Sequence, residues 1–313
     1  MRKLHYYLVD VFTNQPFGGN QLAVFTNGRG VPPALMQKIA RELNFSETTF
    51  VLPPQDQAND FWVRIFTPAV EMPTAGHPTI GTSFVLAREQ FIDTTGSEAT
   101  LRLEEGVGVI TVQVQLEQGL PGLIKMSQPL PQFGVEFTNQ AGLAQVLSLE
   151  EEALMAGRPA QVVSCGVPFL FVPLKNLAAM RQAKLRLDLW EQHLQHFATP
   201  HLFLFTLETE LKNSSVHCRM FAPALGIAED PATGIASGPL GSYLVQHKLV
   251  PVQTKTHLLS EQGFEMGRPS LIHIEIEQTA GQISAVTVGG ECVVIGEGYI
   301  EVPETGSKVA GTE

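Results

Sequence analysis

The sequence predicts an α+β chain of two similar domains, rich in strands, each organised round one apolar helix. Three observations predict it. The stretch Arg64 to Thr82, RIFTPAVEMPTAGHPTIGT, returns in degenerate form about 155 residues later as Arg219 to Ser242, RMFAPALGIAEDPATGIASGPLGS. A chain of 313 residues exceeds the comfortable size of one core and suits two of roughly 150 each. Segments of period-two alternation far outnumber helical ones, yet both glycine-rich turns open a small-residue helix that is apolar nearly all round and suited to lying inside a curled antiparallel sheet.

Taken in order, His5 to Phe12 alternates as a strand, Thr13 to Gly19 is turn-rich, and Asn20 to Phe25 is a second apolar strand. Asn14, Gly18, Gly19 and Asn20 make a polar, permissive corner of the kind that lines a site. Pro32 and Pro33 punctuate the start of a helix over Ala34 to Leu43, whose Leu35, Ile39 and Leu43 recur four apart. Glu47 follows at a junction leading into the strand Thr49 to Leu52, and Phe61 to Phe66 is a strand that exits at Thr67-Pro68. Glu71 falls in the next loop, and Gly76 opens a helix to about Ala87, with His77 at its mouth. Strands fill Ala99 to Met126, with period two clearest at Ile110, Val112 and Val114. Gln128 to Phe133 is the linker candidate, dividing an N-terminal domain over 1–126 from a C-terminal domain over 127–313, whose final strand is free to return to the first.

In the second half Ala141 to Leu154 reads as a helix, Ala160 to Ser164 and Phe169 to Pro173 as strands, and Leu177 to Gln182 and Leu187 to Phe197 as helices. His201 to Thr206 is an apolar strand. Val216 to Phe221 is the second copy's strand, Glu229 to Gly234 its turn and Ile235 to His247 its helix, with Asp230 in the N-cap zone. Strands at Thr256 to Ser260, Ser270 to Glu277, Ile283 to Val288 and Cys292 to Ile295 follow, and the end from Pro303 is polar and frayed.

Composition narrows the function classes. Lys and Arg number 20 against 31 Asp and Glu, a formal charge of -11, which argues against unassisted nucleic-acid binding. Cys165, Cys218 and Cys292 are far apart and read as buried thiols in a reducing compartment. There is no secretory leader pattern and no run long enough to span a membrane, so the chain reads as soluble and cytoplasmic. GxGxxG in a dinucleotide context, GxxxxGK[ST], HExxH, GxSxG and a clustered His/Cys set are all missing from the sequence, and no metal is expected.

The chemistry-bearing residues sit at the turns. If the two turns face each other, the N–H groups and dipoles of two helix N-termini favour an anion, so the expected ligand is a small carboxylate-bearing metabolite. Glu47 lies beside Phe45 and Phe50, where desolvation raises a carboxyl pKa towards that of a neutral-pH acid or base. His77 is a proton shuttle or donor, or else a capping histidine; Asp230 is a cleft acid, a helix cap, or both.

These residues resemble the phenazine biosynthesis PhzF-like family, within the diaminopimelate epimerase-like fold. The resemblance rests on Asp10-Val11-Phe12-Thr13, Gly18-Gly19-Asn20, Ser46-Glu47-Thr48, Arg64-Ile65-Phe66-Thr67-Pro68, Gly76-His77-Pro78-Thr79, Glu229-Asp230-Pro231-Ala232-Thr233-Gly234 and Gln262-Gly263 with Met266-Gly267-Arg268-Pro269-Ser270. It covers nearly the whole chain in order. It implies two antiparallel barrel-like domains, each wrapped round a central helix, in a homodimeric isomerase without metal or organic cofactor. It further implies that Glu47 moves a proton with the help of His77 and Asp230, in the manner of trans-2,3-dihydro-3-hydroxyanthranilate isomerisation. The substrate-binding positions it points to are Asn20, Gly76, Thr79, Thr233, Gly234 and Ile235. At Ile235 the family commonly carries a small Ser or Ala, so a hydroxyl donor is lost and the pocket narrowed at that point. Two other readings compete: an amino-acid racemase or epimerase of the same fold, which would want opposed thiols that neither turn supplies, and a catalytically silent binding protein.

Overall fold

The computed structural model describes residues 1–303. The frayed end expected beyond Pro303 therefore falls outside the described residues. Eighteen strands and six α-helices are present among them, an α+β architecture dominated by sheet. The chain divides into two compact units: one holds Met1–Asp10, Gln21–Ile124 and the segment starting at Cys292, and the other holds Val11–Asn20 and Lys125–Glu291.

In the first unit, the strand Asn20–Phe25 runs parallel to Glu47–Leu52 with Leu22 opposite Glu47, and the helix α1 (Pro33–Leu43) makes the crossover. Helix α1 starts at Pro33, whose fixed φ suits a first turn, and stops where Asn44 turns left-handed at φ 54°. Glu47–Leu52 pairs antiparallel with Phe61–Phe66, which hairpins back on Glu71–Met72 and runs parallel to Glu98–Glu105. The second crossover is α2 (Gly76–Arg88), and every residue from Gly76 to Ala87 is buried. A helix without a polar face has no solvent side to turn outward, so it becomes the core. Phe25 and Phe50 stack on the opposite face of the sheet, in the cluster with Met36, Ile39 and Ala40 of α1, with ring centroids 4.7 Å apart.

The second unit repeats the scheme after its own opening layer. Antiparallel Gln132–Phe137, Ala160–Ser164 and Pro168–Pro173 lead into a parallel partner, Leu202–Thr206, with α3 (Gln140–Val146), α4 (Leu177–Gln182) and α5 (Leu187–His193) between. Leu202–Thr206 pairs with Val216–Ala222, which hairpins onto Ile227–Asp230 and runs parallel to Lys255–Gln262 across α6 (Gly234–Gln246). Ser270–Thr279 and Gln282–Gly290 extend the sheet antiparallel. Close packing explains the small residues of α6: a Cβ on Gly241 would lie 2.5 Å from Ile274 Cγ2.

The sequence repeat is a repeat of contacts within each unit. Arg64 makes a two-pronged bond to Glu71 at 2.7 and 2.7 Å, and Arg219 does the same to Glu229 at 2.7 and 2.8 Å. Each guanidinium also lies over the following phenylalanine, Phe66 at 5.3 Å and Phe221 at 5.0 Å.

Several element boundaries differ from the sequence reading. The helix expected over Ala141 to Leu154 ends at Val146, because Ser148 is left-handed at φ 58°, and only a 3-10 turn at Glu151–Ala153 follows. Glu71, Glu229 and Asp230 are strand residues rather than loop residues: the arginine clamps draw Glu71 and Glu229 into their hairpins, and Asp230 pairs opposite Met220. The linker shrinks to residues 129–131, and the last strand runs from Cys292 to Val302.

Candidate active site

Glu47 is the first residue of its strand, at the end where the parallel Asn20–Phe25 strand begins, and is buried at 9% exposure. His77 is the second residue of α2 and is 5% exposed. The first unit brings them together: His77 Nε2 lies 3.2 Å from Glu47 Oε2. Burial pushes the imidazole down to about 3, against the opposing effect of a hydrogen bond with the backbone of Gln21. A backbone bond that favours the protonated ring is one the ring donates, and Nε2 is turned to Glu47, so Nδ1 carries the proton. The neutral ring then offers Nε2 as an acceptor to the carboxyl group. A proton arriving on Glu47 has a hydrogen-bond acceptor waiting for it.

In the second unit Asp230 ends its strand and is 6% exposed. Asn20 Nδ2 donates to Asp230 Oδ1 at 2.8 Å and to the Ala232 carbonyl at 3.0 Å, while Thr233 Oγ1 donates to Oδ2 at 2.5 Å. Asp230 is thus not the N-cap of α6; Thr233 holds that position, three residues on. Burial pushes the Asp230 carboxyl up to about 6, and the Thr233 and Asn20 bonds only partly offset it. Gln262 locks the turn from the next strand, donating to the Asp230 carbonyl at 2.7 Å and accepting from Thr233 N–H at 3.1 Å. Gln128 Nε2 donates to the Gly234 carbonyl at 3.0 Å. Arg268 donates to the Gly19 carbonyl at 2.9 Å and the Gly18 carbonyl at 2.5 Å, fixing the corner that ends in Asn20.

Gly76 and Thr79 lie in the first turn of α2, and Gly234 and Ile235 in the first turn of α6, with Ile235 alone among these four partly exposed. Sequence reasoning did not single out Gln128 or Gln262 as holding the Asp230 turn, though Gln262-Gly263 stood among the family motifs. Nothing local marks either amide. Among the described residues no group of three His, Cys, Asp or Glu side chains is arranged to hold a metal ion.

The raised Asp230 group gives a signed prediction. A carboxyl that holds its proton more tightly when folded adds stability at low pH, and that addition is lost as pH rises from about 4 to about 6. Wild-type protein should therefore lose thermal stability relative to D230N between pH 4.5 and pH 7. Scanning calorimetry of both proteins across that interval checks it, and parallel curves would contradict it.

Known proteins resemble this chain over nearly its whole length. Trans-2,3-dihydro-3-hydroxyanthranilate isomerase of Pseudomonas fluorescens is 34% identical over 296 residues, covering 95% of this chain and 99% of that protein. An uncharacterized isomerase of Clostridium acetobutylicum is 34% identical over 298 residues, covering 94% and 97%. The crystal structure of the Bacillus anthracis phenazine biosynthesis protein of the PhzF family matches with a TM-score of 0.88 at 28% identity, covering 96% of this chain and 100% of that one. Fold and relatives define the class as an isomerase on an α+β, epimerase-like architecture. Residues 9–298 match the family described as phenazine biosynthesis-like protein, and the chain belongs to that family. Among the described residues no helix is long and apolar enough to cross a membrane.

Proposed function

We propose that the protein is a cofactor-independent isomerase that moves a proton between carbons of a small cyclic or amino carboxylate. The observation that carries this reading is the buried Glu47–His77 pair, a carboxyl group facing the acceptor nitrogen of a neutral imidazole at 3.2 Å. Glu47 as carboxylate takes a proton from an activated C–H. The C–H electron pair moves into the adjacent carbon–carbon bond, the existing double bond shifts along, and Glu47 returns the proton to the far carbon. His77 accepts a hydrogen bond from the transiently protonated Glu47, and Asp230, held by Asn20 and Thr233, is the polar group that orients substrate. Within each unit the first-turn N–H groups of the central helix, at Gly76 in α2 and at Gly234 in α6, are of the kind that suits a carboxylate. The ligand would be a metabolite rather than nucleic acid or membrane, and the working form a cytoplasmic homodimer.

The two-thiol racemase reading fares worse. Cys218 is buried on its strand, 3.3 Å from Ser260 Oγ, and burial raises its thiol; burial pushes Cys165 up to about 12. A thiol held protonated is a poor base.

Trans-2,3-dihydro-3-hydroxyanthranilate, the compound in the name of the Pseudomonas relative, is the first substrate to test. Because Ile235 places a branched apolar chain at the start of α6, I235S should raise kcat/KM for that compound over the wild-type value. An I235S enzyme that folds and shows unchanged or lower kcat/KM would sink the specificity role of Ile235.

A further inference from the structure

The strand Glu98–Glu105 buries Leu101, Leu103 and Glu105 on one face by its period of two, so a carboxyl group stands where a third leucine would fit. Glu105 is 6% exposed. Thr74 Oγ1 donates to its Oε2 at 2.6 Å, and Thr79 Oγ1 lies 2.5 Å from its Oε1. The same Thr79 oxygen lies 2.6 Å from the carbonyl of Ala75, the N-cap residue of α2. A hydroxyl has one proton. One proton shared between two acceptors lengthens both bonds, so two contacts this short from Thr79 point to a second proton, and the Ala75 carbonyl has none to give. The second must be the carboxyl proton. The chain of donors then closes without a gap: Thr74 O–H to the Glu105 carbonyl oxygen, Glu105 O–H to Thr79 Oγ1, Thr79 O–H to the Ala75 carbonyl.

We propose that Glu105 is held as a neutral carboxylic acid and, through Thr79, is a positioning residue for His77 at the start of α2. Thr79 is two residues from His77 in the same helical turn. Loss of the carboxyl proton would force Thr79 to choose between the carboxylate and the N-cap carbonyl, and the turn that aims the imidazole at Glu47 would loosen. Burial, opposed only in part by the Thr74 and Thr79 hydroxyls and by no charged partner, pushes Glu105 up to about 7, so the change falls near neutral pH. The charged groups nearby are occupied elsewhere. His77 on α2 faces Glu47, Arg64 on the parallel strand Phe61–Phe66 holds Glu71, and Glu104, on the same strand as Glu105, accepts from the Gln55 and Asp56 N–H groups and from Asn59. The adjacent strand presents Gly108, without a side chain, opposite Glu105.

The protonation half of the proposal is independent of the reaction; the positioning half rests on the role assigned to His77, and neither readout below needs a substrate. Thermal midpoints of wild type and E105Q are compared from pH 5.5 to 8.5. Glutamine mimics the neutral acid at every pH, and the raised carboxyl adds stability that fades as pH climbs from the ordinary carboxylate range through 7. Wild type should fall by about 5 °C or more relative to E105Q across that range. Parallel curves would mean that Glu105 is ionised throughout and would overturn the proposal. In parallel, the His77 ring nitrogen signals are followed by NMR, assigned by their loss in H77Q. They should shift in wild type with the same midpoint as the stability change and stay fixed in E105Q. Signals that titrate identically in both proteins would overturn the positioning role.

Discussion

Replacing Glu47 by glutamine is expected to lower turnover by about 10²- to 10⁴-fold, the usual weight of a positioned general acid–base group. Glutamine keeps the size of the side chain and loses the ability to take a proton. The loss should appear in kcat rather than KM, because the step removed belongs to the transition state and not to substrate binding. His77 should behave differently on replacement: H77A leaves Glu47 able to accept a proton but removes the acceptor 3.2 Å from its Oε2. Stopped assays of isomer formation, with folding checked by circular dichroism, measure both. Full activity in E47Q would remove Glu47 from the mechanism.

Replacing His217 by glutamine is expected to cost about 3–5 kcal/mol of stability, the penalty for stripping one partner from a buried ionic cluster. His217 is fully buried opposite Glu261 in the parallel strand pair, with Nδ1 2.8 Å from Glu261 Oε1 and Nε2 3.0 Å from Glu265 Oε1. Burial alone would lower this imidazole, but the two carboxylates outweigh it and push the ring up to about 9. Its contribution is therefore complete below the ordinary histidine value near 6.5 and is lost as pH rises through 9. Burial works against both glutamates as well, yet the hydrogen bonds from His217 and from backbone N–H groups hold them low, so their share fades only on acidification. Urea unfolding at pH 7 and pH 10 should show a wide gap between wild type and H217Q at the first and a narrower one at the second. A gap below about 1 kcal/mol at pH 7 would show that the cluster is no more than a surface-grade pair. The consequence reaches the site, because Glu265 lies in the short turn between Gln262 and Arg268, the two residues that hold the Asp230 turn and the Gly18–Gly19 corner.

Much of this was legible in the sequence where residues act on near neighbours. The strand Phe61–Phe66, the helix Leu177–Gln182 and the apolar helices after Gly76 and Gly234 lie within a residue or so of where periodicity put them. The recurrence of Arg64 and Arg219 proved to be a recurrence of one clamp, each arginine on the acid seven or ten residues later. Illegible parts depend on long-range pairing. Gln262 meets Asp230 from 32 residues away, and His217 meets Glu261 from 44, because parallel strands across α6 set them side by side. Glu105 lay unremarked within the strands read over Ala99 to Met126; only its partners Thr74 and Thr79, 31 and 26 residues back, set it apart. The overlong helix drawn through Ser148 failed for a local reason, a left-handed backbone at a residue that composition does not flag.

The proposed reading has protons moving at carbon through Glu47. Its most direct test is mass spectrometry of trans-2,3-dihydro-3-hydroxyanthranilate and a panel of cyclic and amino carboxylates, incubated in D2O with wild type and with E47Q. Wild type should isomerise at least one of them, with deuterium at the carbon that receives the proton, and E47Q should leave the same compound unlabelled and unchanged. Equal labelling by both proteins, or binding without turnover or exchange for every compound in the panel, would contradict it.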